Sequence, residues 1–271
     1  MLESGFLRRD EGGTPVYSCV ALRELGFLRH GFSTRHGGVS PLPQGSLNLS
    51  LVSWDAPENV VENRRRFLAA LNLEDAQLAT LSQVHSDRLH ILDEKTLVEN
   101  GRPEADALGT CRDGIAIAVQ VADCFPILVA DSRRRTVAAI HAGWRGVLAR
   151  IFTKTAAGLR AAFGADPSDL VTAIGPGIRS CCFEVGPDVA EKFQAAYPGA
   201  RLSRPHPSRN GKYLLDMPQA LQIQFEEVGL NRDNIFDLGV CTCCNTDEFF
   251  SYRREGPQSG RMMGLIALRT T

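Results

Sequence analysis

Residues 119–146, VQVADCFPILVADSRRRTVAAIHAGWRG, form the stretch around which the rest of the chain is organised. It contains two apolar runs. The first follows Asp123 and Cys124, and the second ends in His141 and the glycines after it. The charged residues 131–135 between the runs are typical of a turn, and such a pattern predicts adjacent strands. The stretch therefore predicts a hairpin that can bring Cys124 and His141 close together.

A thiol and an imidazole that meet at strand ends beside glycines form either a metal site or a nucleophile with its base. His85 lies at a polar break between two further apolar runs and supplies a third candidate. Catalytic zinc commonly takes three protein ligands and leaves a fourth position open. The long spacing matches no short metal motif. Simpler interpretations stay open: His85 making a single hydrogen bond, and Cys124 as a small buried apolar side chain.

The composition is that of an ordinary globular protein. The chain has 271 residues, of which 44% are hydrophobic and 23% charged, with a net charge of -1. A nucleic acid or a membrane surface would call for a basic excess, so neither is expected as a partner. The first residues lack the apolar core of a signal peptide, and no apolar run is long enough to span a bilayer. We therefore expect a cytoplasmic protein with reduced cysteines.

Further apolar runs predict the remaining framework. Residues 114–121 predict a buried strand, residues 143–163 a long helix, and residues 249–254 a late strand. Residues 1–26 predict a poorly ordered lead-in, and residues 27–271 a single domain. We expect an α/β (α+β) fold with helices outside one or two sheets.

Several side chains are candidates for binding substrate or phosphate. Arginine suits phosphate because its planar fork donates two parallel hydrogen bonds. Arg35 and Arg145 stand out because each lies beside glycines, where a ligand can approach the backbone. Asp123 and Glu184 are candidates for proton relay or for supporting the metal ligands. The remaining arginines considered for an anion are Arg64, Arg179, Arg253 and Arg254.

Cysteines cluster in two later segments. One segment holds Cys181 and Cys182, and the other holds Cys241, Cys243 and Cys244. Cys241 and Cys244 have the C-x-x-C spacing of zinc sites. A structural zinc site would need ligands from both segments, and buried reduced thiols are the competing interpretation.

The motifs together resemble the laccase-domain family from about residue 27 to the C-terminus. They occur in the family's order as HGFSTRHGGVS, LSQVHSD, ADALGT, VADCFPILVAD, IHAGWRG, AIGPGI, CCFEVG, FFSYRREG and GRMMGLIAL. The resemblance implies a single domain with mixed sheets in a sandwich-like centre, related to Cys-His toxin deamidases. It implies one catalytic Zn²⁺ on His85, Cys124 and His141. The implied activities are phosphorolysis of adenosine, inosine and S-methyl-5'-thioadenosine, and deamination of adenosine, with purine nucleosides and inorganic phosphate as partners.

The family's older name, multicopper polyphenol oxidase, is a weaker expectation. The chain has six histidines, and no two are separated by a single residue, which argues against a trinuclear copper cluster. One copper in a His₂Cys site is chemically possible, but zinc is favoured. A metal-free Cys-His hydrolase and a non-catalytic module that binds metal or nucleoside are two further hypotheses. The sequence does not indicate an oligomeric state.

Overall fold

A computed structural model of the protein describes residues 5–93 and 101–269. The strands in these residues are Phe6–Glu11 (β1), Thr14–Cys19 (β2), Leu28–Ser33 (β3), His36–Pro41 (β4), Gln44–Ser46 (β5), Gln77–Ala79 (β6), Leu89–Leu92 (β7), Ala107–Thr110 (β8), Ile115–Val121 (β9), Phe125–Asp131 (β10), Thr136–Ala142 (β11), Leu170–Ile174 (β12), Glu184–Val185 (β13), Ser203–Pro205 (β14), Tyr213–Leu215 (β15), Ile235–Asp237 (β16) and Met262–Leu268 (β17). The α-helices are Val20–Glu24 (α1), Pro57–Ala70 (α2), Trp144–Leu148 (α3), Ile151–Phe163 (α4), Pro187–Ala196 (α5), Met217–Glu227 (α6) and Tyr252–Glu255 (α7).

Two mixed sheets of six strands each form the centre of the fold. Their orders are β1-β2-β3-β17-β9-β6 and β16-β12-β10-β11-β8-β7. Alternate residues of β10 face opposite sides, as a strand requires. Leu128 and Ala130 pack with residues of the first sheet such as Ile117, whereas Ile127 and Val129 pack with the helices outside. This two-layer core with flanking helices confirms the predicted mixed α/β single-domain fold.

The predicted hairpin is present as β10 and β11. The strands are antiparallel and pair Pro126 with His141. Every residue of both strands is buried, which explains why each reads as a nearly continuous apolar run. The carboxylate of Asp131 closes the turn by accepting the backbone N–H of Arg133 and of Arg134, both at 2.8 Å. Cys124 precedes β10 and His141 lies near the end of β11, so both are at the same end of the hairpin.

The predicted helix over residues 143–163 is divided into α3 and α4. Arg150 separates them with a left-handed backbone, φ 67°. That conformation cannot continue a helix, and the apolar spacing gives no sign of it. The Arg150 guanidinium lies 4.0 Å from the Tyr197 ring centroid and donates to the Ala196 carbonyl at 2.9 Å, which holds the break in place.

The prediction that residues 1–26 are poorly ordered is wrong for the part of this segment that forms β1, β2 and α1. β1 and β2 are antiparallel, and β2 also pairs with β3. Phe6, Val16 and Cys19 are buried, so the segment contributes to the core despite its polar appearance.

The predicted strand over residues 249–254 is also wrong. Phe249 and Phe250 are buried without forming a strand, and α7 begins at Tyr252. The Ser251 backbone N–H donates to the Glu255 carboxylate at 3.1 Å, an i-to-i+4 contact that favours a helical turn. No helix in the described part of the chain combines the length and apolar character needed to cross a bilayer.

Candidate metal centre

Side chains from three separate segments converge at one end of the β10–β11 hairpin. His85, Cys124 and His141 each offer a ligand atom, and these atoms all lie within 4.8 Å of one another. The two imidazole rings are 4.9 Å apart and nearly perpendicular, at 83°. His141 is buried, Cys124 is half-buried and His85 is exposed, so the group is open on one side. The three predicted ligands are therefore brought together.

A buried carboxylate, which the sequence did not single out, orients this group. Asp106 is fully buried, and its Oδ1 lies 2.8 Å from Nδ1 of His141. It also accepts the backbone N–H of His85 at 3.0 Å and of Ser86 at 2.6 Å. Burial opposes the charge, but the hydrogen bonds from His141 and Ser86 prevail and lower the pKa of Asp106 to about 2. An ionised carboxylate only accepts hydrogen bonds, so Nδ1 of His141 donates and Nε2 is left to act as a ligand.

Two residues of the site have unusual backbone conformations. His85 has φ 57° and Asp123 has φ 81°, in the left-handed region that non-glycine residues seldom adopt. The Asp123 carboxylate accepts hydrogen bonds from the Thr242 hydroxyl at 2.7 Å, the Ser251 hydroxyl at 2.7 Å and the Arg253 backbone N–H at 2.6 Å. These contacts hold the turn that presents Cys124.

The first glycine of the HAGWRG motif gives the three side chains their space. A Cβ atom on Gly143 would lie 3.0 Å from Cδ2 of His85 and 3.1 Å from Sγ of Cys124. Its φ of -78° is open to any residue, so the requirement for glycine here is steric.

Without a metal, Cys124 and His141 act on each other as an ion pair. Burial disfavours the thiolate, but the charge of His141 and hydrogen bonds from both histidines lower the pKa of Cys124 to about 6. Burial likewise disfavours the imidazolium, but the thiolate and Asp106 raise the pKa of His141 to about 9. The site is thus built to stabilise a thiolate, which is the form of cysteine that binds metals or attacks as a nucleophile.

The triad lines a cavity of about 700 Å³, within the range of small-molecule sites. The wall combines aromatic, amide and cationic groups. Its members besides the triad are Ser50, Ser82, Gln83, Arg102, Gln120, Ala122, Asp123, Trp144, Ile178, Phe183, Tyr252, Arg253 and Arg261. The mixture of flat apolar surface and cations suits a ligand with an aromatic ring and an anionic group.

Of the four substrate-binding candidates from the sequence, Asp123 lines this cavity. Arg35, by contrast, is buried against Phe250 and forms an ion pair with Glu255 at 2.8 Å. Arg145 is exposed and covers the Trp144 ring at 4.5 Å.

Glu184 lines a different hollow, where it pairs with Arg209 at 3.0 Å. The arginines on the described cavity wall are Arg102, Arg253 and Arg261, of which only Arg253 was considered for an anion.

The fold and the site define a mixed α/β protein with a His-Cys-His candidate metal centre in a cavity of small-molecule size. Comparison with known sequences identifies the family to which the protein belongs. The multi-copper polyphenol oxidoreductase laccase family matches residues 29–269, and the chain belongs to this family.

Two similar bacterial proteins are named as purine nucleoside phosphorylases. The chain is 39% identical over 243 residues to a protein of Deinococcus radiodurans named purine nucleoside phosphorylase, with 88% of each chain covered. It is 38% identical over 240 residues to purine nucleoside phosphorylase YfiH of Escherichia coli, covering 87% of this chain and 92% of that one. The crystal structure of YlmD from Geobacillus stearothermophilus superimposes with a TM-score of 0.88 at 29% identity, covering 98% of this chain and 100% of that one.

Proposed function

We propose that this protein is a zinc-dependent purine nucleoside phosphorylase that acts on adenosine, inosine and S-methyl-5'-thioadenosine and also deaminates adenosine. The observation that carries the proposal is the convergence of His85, Cys124 and His141 on a cavity large enough for a nucleoside. The names of the relatives support the phosphorolysis. A cytoplasmic location belongs to the same proposal, because a reducing compartment keeps Cys124 available as a ligand.

The donor set fits zinc. Two imidazoles and a thiolate are common zinc ligands, and Asp106 behind His141 supplies the supporting carboxylate such ligands usually have. The same donor set can hold one copper ion, but zinc is favoured because three protein ligands with one position left open are the usual set of a catalytic zinc site. Bound at these three side chains, zinc supplies a Lewis acid with one position open to a reactant.

The protein itself holds the reactants. Arg261 is the first choice for the phosphate ligand, because it lines the cavity and lies near Cys124 and Asp123, at the part of the wall beside the triad. Burial lowers the pKa of Arg261, and these anions partly offset the burial. Arg102 and Arg253 add positive charge to the same wall and replace Arg35 and Arg145 in this role.

Aromatic side chains supply the surface for the base. Trp144, Phe183 and Tyr252 line the cavity, and purines stack on such rings. Gln83 exchanges two hydrogen bonds with the backbone of Gln120, each 2.8 Å, which makes the adjoining polar wall rigid. The guanidinium groups of Arg253 and Arg261 lie 5.6 and 5.5 Å from the ring centroids of Phe183 and Tyr252, so the surface for the base adjoins the cations proposed to hold the phosphate.

Product analysis with and without phosphate tests the proposal. Phosphorolysis transfers the ribosyl C1' from the purine nitrogen to a phosphate oxygen, whereas deamination needs only water. With adenosine alone, inosine should form and adenine should not. With phosphate, adenine and ribose 1-phosphate should also appear, and because the inosine is cleaved too, ribose 1-phosphate should equal the sum of adenine and hypoxanthine. Adenine formation without phosphate would make the protein a nucleoside hydrolase and overturn the phosphorolysis.

The second candidate is a metal-free hydrolase with Cys124 as nucleophile and His141 as base. The thiolate–imidazolium pair favours it, because such a pair activates a cysteine. In this candidate His85 only supports the Cys124 thiolate by a hydrogen bond, whereas the metal site uses all three side chains as ligands. Removal of metal by a chelator separates the two candidates: full activity in the metal-free protein supports the hydrolase, and loss of activity that zinc restores supports the metalloenzyme.

A further inference from the structure

Four cysteines outside the cavity form a second cluster of potential ligands. Cys181 and Cys182 come from the segment before β13, and Cys241 and Cys244 from the segment after β16. All four sulfurs lie within 4.8 Å of one another. Sγ of Cys244 is 3.6 Å from that of Cys181 and 3.3 Å from that of Cys182. The two cysteine-bearing segments of the sequence therefore meet in the fold.

We propose that these four cysteines bind a second zinc ion in a closed structural site. Tetrahedral zinc with four sulfurs at about 2.3 Å requires sulfur–sulfur separations of about 3.8 Å. The two separations from Cys244 lie close to this value and all the others are within 4.8 Å, so small side-chain movements suffice to close the site. Four cysteine ligands leave no open position, which is typical of a structural site.

The backbone of both segments is arranged to support such a site. Cys241 and Cys244 have the C-x-x-C spacing that places two sulfurs on one turn. The Arg179 backbone N–H points at Sγ of Cys241 from 3.5 Å, a contact that stabilises a thiolate. The segments are joined by the Gly177 N–H to the Val240 carbonyl at 3.3 Å, and by the Thr242 N–H to the Gly177 carbonyl at 3.2 Å.

Arginine side chains lie in the hollow on one side of the cluster. Zinc with four thiolates carries two net negative charges, which nearby cations stabilise. Arg253 and Arg254 line the hollow beside Cys181 and Cys182. The Arg254 guanidinium donates to the Cys243 carbonyl at 3.0 Å, so it is held at the cluster.

Disulfide formation is the alternative to metal binding for these thiols. The 3.3 Å between Cys182 and Cys244 is far longer than the bond length of about 2.05 Å, and the cysteines are free in the structure. A disulfide would also use only two of the four. The convergence of all four sulfurs favours the metal.

Arg253 connects the cysteine cluster to the cavity that contains the His-Cys-His triad. The Arg253 guanidinium donates to the Cys182 carbonyl at 3.4 Å and to the Glu184 carbonyl at 3.0 Å. Its backbone N–H donates to Asp123, the residue before Cys124. A zinc ion at the cysteine cluster would thus fix a segment that lines the cavity, without contacting substrate.

Metal content measured by plasma mass spectrometry tests the proposal independently of activity. Wild-type protein from zinc-supplemented cells should hold two zinc ions per chain. The double variant Cys182→Ser/Cys244→Ser should lose one ion, and His85→Ala/His141→Ala should lose the other. Cys111→Ser, at an exposed thiol outside the cluster, should keep both. A folded Cys182→Ser/Cys244→Ser protein with as much zinc as wild type would overturn the second site and leave the first untouched.

Thiol labelling gives a second test that needs no variant. In freshly purified protein, iodoacetamide should modify Cys111 while the four cluster cysteines stay protected, although Cys181 and Cys244 are exposed. Removal of zinc with a chelator should abolish this protection. Labelling of Cys181 and Cys244 as fast as Cys111 before chelation would contradict the proposal. A disulfide between Cys182 and Cys244 would also contradict the proposal. It would appear in the mass spectrum of the unreduced protein as a loss of two hydrogens.

Discussion

Oδ1 of Asp106 lies 2.8 Å from Nδ1 of His141, and the same carboxylate accepts the backbone N–H of His85. One buried anion therefore fixes two of the three candidate metal ligands. Because the pKa of Asp106 is lowered to about 2, it holds His141 as a donor at Nδ1 throughout the physiological pH range.

Asp106→Asn should weaken zinc binding about 10- to 100-fold, as expected for loss of a partner that supports a metal ligand. An amide cannot accept all the hydrogen bonds that this carboxylate accepts, so the orientation of His141 is lost. Competition with a chromophoric chelator measures the affinity. Asp87→Asn, which alters the ion pair with Lys154 at the surface, is the matched control. Equal affinity in both variants would show that Asp106 does not orient the ligands.

Gly143→Ala should reduce zinc occupancy while the protein stays folded. The new methyl group would press on His85 at 3.0 Å and on Cys124 at 3.1 Å, but the backbone at residue 143 accepts alanine. Zinc content and circular dichroism of the same sample separate these effects. An alanine variant with full zinc would mean that the triad has more room than the structure gives it.

In metal-free protein, Cys124 should react with iodoacetamide at a rate that rises with pH about a midpoint near 6, because its pKa is lowered to about 6. The thiolate is then the main form at pH 7. In His141→Gln the cation is lost, and the midpoint should move to higher pH. Peptide mapping of Cys124 after short reaction times measures the rate. A midpoint that His141→Gln leaves unchanged would show that the two side chains do not form an ion pair.

Arg261→Gln should raise the KM for phosphate about 10- to 150-fold, since a hydrogen bond to a charged group contributes about 1.5–3 kcal/mol. Deamination without phosphate should change much less. Arg160→Ala, at an exposed position of α4, provides the control for loss of a positive charge. Equal damage to both reactions by Arg261→Gln would instead mean that Arg261 supports the fold or binds the nucleoside.

His30 should make the fold sensitive to mild acid. It is buried and its Nε2 accepts the Cys19 backbone N–H at 2.9 Å. Burial, with help from Arg9 and Arg23, lowers its pKa from 6.5 to about 3. Between these values the unfolded chain takes up a proton that the folded protein does not, so stability falls as the pH drops below 6.5.

At pH 5 this loss amounts to about 2 kcal/mol relative to pH 7. His30→Gln keeps an acceptor for the Cys19 N–H but does not titrate. Urea unfolding at both pH values should therefore show a smaller loss of stability in the variant. An identical loss in the two proteins would assign the acid sensitivity to different groups.

The sequence was sufficient for the parts of the structure that depend on local pattern. Fully apolar runs revealed β9, β10 and β11, and the short charged turn between the last two implied their pairing. The left-handed Arg150 was not visible, because helical spacing continues through it. The N-terminal strands were missed because polar residues dominate the segment, and some of those buried in β2, such as Thr14 and Ser18, are themselves polar.

The candidate site was predictable to a similar extent. The motifs identified His85, Cys124 and His141, which the fold brings together. Asp106 could have been recognised as a candidate, because it is a carboxylate beside an apolar strand in the ADALGT motif. Its contact to His141, however, depends on the pairing of β8 with β11, which the sequence does not show. The glycines near Arg35 indicate that a ligand could approach it. They do not show whether its guanidinium binds a ligand or forms an ion pair within the protein, as it does with Glu255.

The tight turn closed by Asp131 lies at the opposite end of the hairpin from Cys124 and His141. From Thr136 to His141 the strand extends about 17 Å. A fluorescent amino acid incorporated in place of Arg133 would sit where the native side chain is 77% exposed, at a nearly constant separation from the triad. In the Cys182→Ser/Cys244→Ser variant, energy transfer to a coloured ion such as cobalt would then report loading of the triad optically, without any further reagent entering the cavity. The rigid hairpin thus sets a fixed distance between residue 133 and the triad, which allows metal binding to be followed in real time.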